Sequence, residues 1–170
     1  MSETLQPALP ERLDSKAEEL MDRLCDREMK VATAESCTGG MFAALLTDIQ
    51  GCSHGFDRGF VTYSLEAKHD LLGIERELLE RNEAVSETVA RAMAEGALAR
   101  SKADVALSVT GFAGPAGDGC EEGLVHFALA QNGGETLHRV EHFGEIGRGP
   151  VRVKSLEAML EMLEQALDTR

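Results

Sequence analysis

Residues 29–48, MKVATAESCTGGMFAALLTD, decide the fold. Met29 to Ala34 is short and mostly apolar, which is typical of a strand buried inside a sheet. The glycine-rich turn Glu35-Ser36-Cys37-Thr38-Gly39-Gly40 follows, and Met41 to Asp48 has the composition of a helix. A strand, a tight turn and a helix thus come in direct succession. In α/β proteins, ligands bind at such junctions, outside the carboxyl ends of the strands.

The other strand-like segments predict a mixed sheet. Phe60 to Ser64 and Asp104 to Thr110 have the composition of strands. Leu124 to Ala130 and Thr136 to Phe143 flank Asn132-Gly133-Gly134, and Asn-Gly between two such runs is a strong hairpin signal. This part of the sheet is therefore expected to be antiparallel.

Helices are predicted at both ends of the chain and between the strands. Apolar residues recur at helical spacing from Leu13 to Leu24 and from Leu156 to Leu167, and Pro150 suits the first turn of the last helix. The other predicted helices are Glu66 to Leu72, Glu75 to Arg81 and a segment capped by Ser86 that runs through Arg100. The expected fold is an α/β class, three-layer α/β/α sandwich with a mixed sheet that includes one antiparallel hairpin.

Length and composition predict one cytoplasmic domain. The chain has 170 residues, and Pro7 and Pro10 indicate a flexible amino-terminal tail over residues 1–10, followed by a single domain over 11–170. No apolar run approaches the roughly 18–20 residues of a membrane span, so no membrane partner is expected. The start of the chain also lacks the basic and apolar segments of a secretion signal.

The charge of the chain argues against nucleic acid as a partner. The formal net charge is −13, and nucleic-acid binding depends on cationic residues that neutralise phosphates. A small phosphorylated substrate stays compatible with this charge, because a few local cations outweigh a distant field. A homo-oligomer is allowed for, although no residue argues for one.

The cysteines and histidines give no metal pattern. Cys25, Cys37, Cys52 and Cys120 contain no C-x-x-C pair and are expected to be buried or half-buried free thiols. No two of the five histidines have the helical spacing of a metal pair, and no carboxylate motif accompanies them. We therefore expect no metal site.

The turn around Ser36 has two interpretations. A serine nucleophile needs a base to take its proton and donors for the oxyanion, and unpaired N–H groups at a helix start provide such donors. Gly39 and Gly40 leave that backbone open to a ligand, which could equally be a phosphate. The alternative is an ordinary helix with Ser36 or Thr38 as its cap.

Two further segments carry candidate site residues. Tyr63 and Lys68 would converge at one end of the sheet, where a desolvated lysine can act as general base and a phenol can relay its proton. The alternative is a surface lysine and a half-buried tyrosine. The loop from Thr110 to Gly119 has four glycines in ten residues, so it either wraps a ligand or simply connects two strands.

Arg148 and Arg152 stand just before and inside the start of the last helix. Cations at a helix start oppose the helix dipole and gain nothing locally from that place. This position favours anion binding over the alternative of two solvated surface charges.

Several segments together resemble the CinA carboxy-terminal domain family. They are Ala34 to Gly40, Arg58 to Ser64, Ala67-Lys68, Gly73, Ala84 to Ser86, and Val109 to Pro115, in the family's order and spacing. The resemblance runs from about Leu13 to Leu167. It implies an α/β/α sandwich and a nicotinamide-nucleotide amidase that converts nicotinamide mononucleotide to nicotinate mononucleotide and ammonia in pyridine-nucleotide salvage.

The resemblance also implies roles for individual residues. Ser36 takes the place of the nucleophile, Tyr63 and Lys68 are its activating partners, and helix N–H groups hold the oxyanion. Thr38, Gly39 and Gly40 surround the nucleophile, while Thr110, Gly111 and Gly114 form a second wall. Arg148 and Arg152 are the candidates for the substrate phosphate. No cofactor or metal is required, and Cys37 is the rival nucleophile.

One loop departs from the family pattern. Family members commonly continue after Gly-Pro to Lys-Pro-Val-Gly, whereas Gly114-Pro115 leads here through Cys120 to Gly123, about two residues shorter and without that lysine. The alternative function is therefore a non-catalytic nucleotide-binding or regulatory module of the same fold.

Overall fold

The computed structural model of this chain describes residues 9–169. Its helices are α1 (Glu11–Asp26), α2 (Met41–Thr47), α3 (Leu65–Leu72), α4 (Arg76–Arg81), α5 (Glu87–Ala99) and α6 (Arg148–Asp168). Its strands are β1 (Val31–Glu35), β2 (Phe56–Val61), β3 (Val105–Gly111), β4 (Leu124–Gln131) and β5 (Leu137–His142). A single 3₁₀ turn, Ser53–Gly55, precedes β2.

The strands form one mixed sheet in the order β2-β1-β3-β4-β5. β1 is parallel to both β2 and β3. β4 is antiparallel to β3 and to β5, and the β4–β5 hairpin turns at Asn132-Gly133-Gly134 as predicted. The central strands β1 and β3 are buried along almost their whole length, as strands covered on both faces must be.

Alternate residues of β3 point into two different cores. Val105, Leu107 and Val109 pack with α1 and α6 on one face of the sheet. Ala106 packs with α5 on the other face, together with Ala32 and Ala34 of β1. Helices thus cover both faces, and the predicted three-layer sandwich is confirmed.

Gly96 allows α3 and α5 to pack close together. An ideal Cβ atom built at Gly96 of α5 would lie 2.4 Å from the carbonyl oxygen of Leu72, the last residue of α3. The α3 helix therefore rests directly on the backbone of α5. This contact fixes the position of α3 relative to the sheet.

The predicted bounds of the second strand were wrong. β2 covers Phe56–Val61 and not Phe60 to Ser64, because its pairing with β1 begins at Val31 and ends at Glu35. Ser64 instead caps α3, since its hydroxyl accepts a hydrogen bond from the Ala67 amide. The segment after β2 therefore leaves the sheet and turns into α3.

Two helix starts follow the sequence signals. The Ser86 hydroxyl accepts a hydrogen bond from the Val89 amide at the start of α5, as expected of a cap. α6 begins at Arg148, which places Pro150 in its first turn, where a missing amide hydrogen costs nothing.

The prediction of free thiols was wrong for Cys25 and Cys52, which form a disulfide. The end of α1 packs against the 3₁₀ turn, and this contact brings the two Cα atoms to 6.1 Å, within the usual range for a disulfide. Cys37 is free and buried as expected, whereas Cys120 is free but exposed.

Most of the predicted tail, residues 1–10, lies outside the described residues. Leu9 packs against the core, and the Pro10 carbonyl accepts a hydrogen bond from the Leu13 amide at the start of α1. No helix within residues 9–169 is long and apolar enough to cross a membrane. The flexible tail and the single-domain bounds stay predictions.

Candidate active site

The carboxyl ends of three neighbouring strands define the candidate site. Glu35 of β1 is in register with Val61 of β2 and Val109 of β3. β1 and β2 both end at this level, whereas β3 continues for two more residues, to Gly111. The Ser36 amide donates to the Val109 carbonyl at 3.0 Å. The Thr62 amide donates to the Glu35 carbonyl at 2.8 Å, so the β2 end is tied to β1.

Lys68 of α3 points into this edge of the sheet. Its side chain is buried, with only 1% of the residue exposed. The Nζ atom donates to the Thr62 carbonyl at 2.7 Å and lies 3.3 Å from Ser36 Oγ. Desolvation by burial lowers the pKa of Lys68 to about 8, because the charged form loses its water. The amine is therefore placed and tuned to exchange a proton with the serine hydroxyl.

Glu35 organises the turn that carries Ser36. The residue is fully buried, and its Oε2 atom accepts hydrogen bonds from the Thr38 hydroxyl at 2.6 Å and from the amides of Gly40 and Phe42, both at 3.1 Å. Its Oε1 atom accepts from the Ala43 amide at 2.8 Å. Four donors thus converge on one side chain, as a buried carboxylate requires.

These contacts change the expected role of the α2 start. The amides of Gly40, Phe42 and Ala43 already have Glu35 as their acceptor, so they do not supply the oxyanion donors that the resemblance implied. Thr38 is likewise fully buried, with its hydroxyl on Glu35. Thr38 therefore belongs to the interior of the turn and not to its substrate-facing surface.

Glu35 was not among the residues predicted for the site. A signal was available, since an acidic residue beside a glycine-rich helix start can pair with unsatisfied amides and with the positive end of the helix dipole. The N-cap residue itself is Gly40, which has no side chain for capping and adopts a left-handed φ of 95°. A cap from elsewhere in the turn was therefore to be expected.

Cys37 is not an activated thiol. Burial raises the pKa of Cys37 to about 12, so the thiol stays protonated near neutral pH. Its side chain is part of the core on the α1 and α6 face of the sheet. The structure therefore favours Ser36 over Cys37 as the nucleophile.

The two arginines of α6 lie against the predicted glycines. Arg152 Nε donates to the Cys37 carbonyl at 2.8 Å, and an ideal Cβ at Gly39 would lie 3.8 Å from its Nη2 atom. A Cβ at Gly114 would lie 2.8 Å from Arg148 Nη2. The start of α6 thus brings two cations to the turn and to the glycine-rich loop.

Three other predicted residues are placed differently from the expectation. Tyr63 is 71% exposed and, within residues 9–169, its hydroxyl has no hydrogen-bond partner. The early end of β2 explains this position. Thr110 is buried, with its hydroxyl on the Ala84 carbonyl at 2.8 Å. Gly111 packs so closely on β4 that a Cβ atom would lie 2.7 Å from the Val125 side chain.

An open groove of about 810 Å³ runs beside the turn, on the side of α6. Gly39, Gly40 and Arg152 form the end of the groove nearest the turn. Met41, Pro150 and Val153 supply apolar walls. The groove therefore lies between Gly39 and Gly40 and the first turns of α6, and neither Ser36 nor Lys68 is among the residues that line it.

The histidines of the hairpin form a pair away from the turn. His126 Nδ1 lies 3.0 Å from His138 Nε2, and His138 Nδ1 lies 3.5 Å from a carboxylate oxygen of Glu87. Burial lowers the pKa of both histidines. No group of three or more His, Cys, Asp or Glu side chains in the described part of the chain is arranged to hold a metal ion.

The chain is similar to known proteins along most of its length. The family described as "CinA C-terminal domain" matches residues 13–167. A protein of Escherichia coli strain K12 named nicotinamide-nucleotide amidohydrolase PncC is 46% identical over 152 residues, which cover 88% of this chain and 91% of that protein. The crystal structure of the competence/damage inducible protein CihA from Agrobacterium tumefaciens has a TM-score of 0.90 and 42% identity, and the match covers 96% of this chain and 99% of that chain.

Other relatives are much longer than this chain. A CinA-like protein of Akkermansia muciniphila is 52% identical over 115 residues, which cover 66% of this chain but 28% of that protein. The matched segments span between 26% and 34% of the length of the first four relatives.

Proposed function

This chain belongs to the CinA C-terminal domain family, and we propose that it is a nicotinamide-nucleotide amidohydrolase. The proposed substrate is nicotinamide mononucleotide, and the products are nicotinate mononucleotide and ammonia. The name of the Escherichia coli relative supports this assignment, because that match covers nearly the whole of both proteins. A role in pyridine-nucleotide salvage would follow from this reaction.

The contact between Lys68 and Ser36 carries the proposal. In the proposed reaction, Ser36 Oγ attacks the carboxamide carbon while its proton passes to Lys68 Nζ, 3.3 Å away. Lys68 then gives a proton to the leaving nitrogen, which departs as ammonia. A water molecule next attacks the acyl-enzyme, releasing the carboxylate product and restoring Ser36. Lys68 thus serves as the base in both halves of the reaction, and it returns to its neutral form at the end of each half.

Direct proton transfer from Ser36 to Lys68 is better supported than transfer through the Tyr63 phenol. Its pKa of about 8 leaves a usable fraction of neutral amine at physiological pH. Tyr63, by contrast, is 71% exposed. We therefore propose direct proton transfer between Ser36 and Lys68, without a phenol relay.

Arg148 and Arg152 are the proposed phosphate ligands. Guanidinium groups pair with phosphate oxygens through two parallel hydrogen bonds, and these two lie at the edge of the turn and of the glycine-rich loop. Local cations of this kind hold a dianionic phosphate even on a chain whose formal net charge is −13.

The test is ammonia release from the purified protein with nicotinamide mononucleotide, compared with nicotinamide and NAD. We expect release with the mononucleotide and formation of nicotinate mononucleotide. If the folded protein binds the mononucleotide but releases no ammonia, the chain is the non-catalytic module instead, and the shortened loop after Pro115 becomes the first place to look for the cause. The Ser36→Ala variant is the matched control, expected to bind without turnover.

A further inference from the structure

We propose that Glu35 is the positioning residue of this active site, holding both Ser36 and Lys68 in their reactive arrangement. It does so without touching the substrate. This inference rests on the proposed function for its kinetic test, but its structural evidence does not depend on the substrate.

The side chain of Glu35 fixes the nucleophile. Its carboxylate binds the Thr38 hydroxyl and three amides of the turn and of α2. Ser36 is the residue next to Glu35, so its backbone is held between the strand and this closed turn. The Ser36 amide is also fixed, by the Val109 carbonyl. The direction of Ser36 Oγ therefore depends on the Glu35 contacts.

The backbone of Glu35 fixes the base. Its carbonyl accepts the Thr62 amide at 2.8 Å, and the Thr62 carbonyl in turn accepts Lys68 Nζ at 2.7 Å. Glu35 thus holds the turn that carries Ser36 through its side chain, and it is linked to Lys68 through its main chain and Thr62. A shift of Glu35 would change the distance between Ser36 Oγ and Lys68 Nζ.

Glu35 also limits where an anion can bind. A resident carboxylate at the start of α2 uses the amides that would otherwise attract a phosphate, and it adds a negative charge there. The substrate phosphate is thereby left to the arginines of α6.

The test compares Glu35→Ala, Glu35→Gln and the control Glu18→Gln, which makes the same charge change on the exposed side of α1. Glutamine keeps one oxygen for the three donors on Oε2 but presents an amide group to the Ala43 amide. Misplacing reacting groups by about 1 Å costs on the order of 100-fold in rate. We expect kcat to fall about 100-fold in Glu35→Ala and distinctly less in Glu35→Gln, with KM for nicotinamide mononucleotide within about twofold.

A second readout is independent of turnover. Amide hydrogen exchange of residues 38–43, followed by mass spectrometry, should speed up in Glu35→Ala and stay unchanged in Glu18→Gln. Wild-type kcat in a folded Glu35→Ala protein, an effect confined to KM, or an equal loss in Glu35→Gln and Glu35→Ala would overturn the proposal. If the wild type proves inactive on the mononucleotide, the proposed function fails. Unchanged amide exchange at residues 38–43 in Glu35→Ala would separately overturn the role of Glu35.

Discussion

Lys68 Nζ lies 3.3 Å from Ser36 Oγ, although the two residues are 32 positions apart and sit on different elements. Both are buried at the carboxyl edge of the sheet, and the Thr62 carbonyl holds the amine on its other side. This arrangement is the basis of the proposal that Ser36 is the nucleophile and Lys68 its base.

Substitution can distinguish between Ser36 and Cys37 as the nucleophile. We expect Ser36→Ala to lose amidase activity at least 1,000-fold, since attack by the hydroxyl is the first chemical step of the proposed mechanism. Cys37→Ala should keep most of the activity, because burial holds the pKa of the Cys37 thiol at about 12. Steady-state rates of ammonia release, with circular dichroism to verify folding, measure both. Loss of activity in Cys37→Ala alone would reverse the assignment.

The rate should depend on pH through Lys68. In the proposed mechanism the neutral amine of Lys68 is the base, so kcat/KM is expected to rise with pH through about 8, the pKa of Lys68, and then to level off. Lys68→Arg should lose the activity altogether, because a guanidinium stays charged throughout this range. A pH–rate profile from about 6 to 9.5 tests this expectation, and a flat profile would remove Lys68 from the role of base.

Tyr63 offers a test of the proton route. If Lys68 takes the proton directly, Tyr63→Phe should keep its kcat within about threefold of the wild type, since only the phenol oxygen is lost. A fall of 100-fold or more in kcat would instead restore the phenol as a relay. The exposed position of Tyr63 means that the substitution should leave the melting temperature unchanged.

Arg148 and Arg152 should act on affinity for the phosphate. We expect Arg148→Gln or Arg152→Gln to raise KM for nicotinamide mononucleotide by about 10- to 100-fold, the cost of one charge-assisted hydrogen bond. Turnover of nicotinamide riboside, which lacks the phosphate, should not change in Arg148→Gln. Arg81→Gln is the matched control, because Arg81 is exposed and, among residues 9–169, forms its ion pair with Glu77 alone. Equal losses on both substrates would argue against a phosphate contact.

The histidine pair should make the fold sensitive to acid. Burial lowers the pKa of both His126 and His138, and the neighbouring His138 lowers the pKa of His126 further. The Glu87 carboxylate raises both pKa values in part, whereas Arg91 lowers the pKa of His138. The unfolded chain then binds protons at a higher pH than the folded one, so stability should fall as pH drops below about 6.5. Thermal melts at pH 7.5 and 5.5 should show a smaller difference for His138→Gln than for the wild type. An unchanged difference would exclude the pair as a cause.

Local signals made much of the fold predictable. The Asn-Gly dipeptide predicted the hairpin, and Ser86 and Pro150 predicted the starts of two helices. These predictions were correct because each residue determines the conformation of the backbone next to it. β2 was misplaced since Asp57, Arg58 and Gly59 lack the composition of a strand. Its place at the edge of the sheet permits those residues, and only the pairing with β1 defines it.

The site was predictable where motif and chemistry agreed. Ser36 and Lys68 were expected together, and the structure brings them into contact. Glu35 was not predicted, although an acidic residue beside a helix start can pair with unsatisfied amides. Its contacts with Thr38 and the α2 amides form only when the turn folds back over its carboxylate. The disulfide between Cys25 and Cys52 was missed for a similar reason, since tertiary packing and not cysteine spacing brings the two residues together.

The contact between Gly96 and Leu72 restricts the substitutions that could raise the thermal stability of this protein. A glycine inside a helix is the usual target for an alanine exchange, which stabilises helices by about 1 kcal/mol. Here the new methyl group would meet the carbonyl of Leu72 and push away the helix that carries Lys68. Gly96 is therefore a position that such a substitution should leave unchanged, because the displacement of α3 would also move Lys68 away from Ser36.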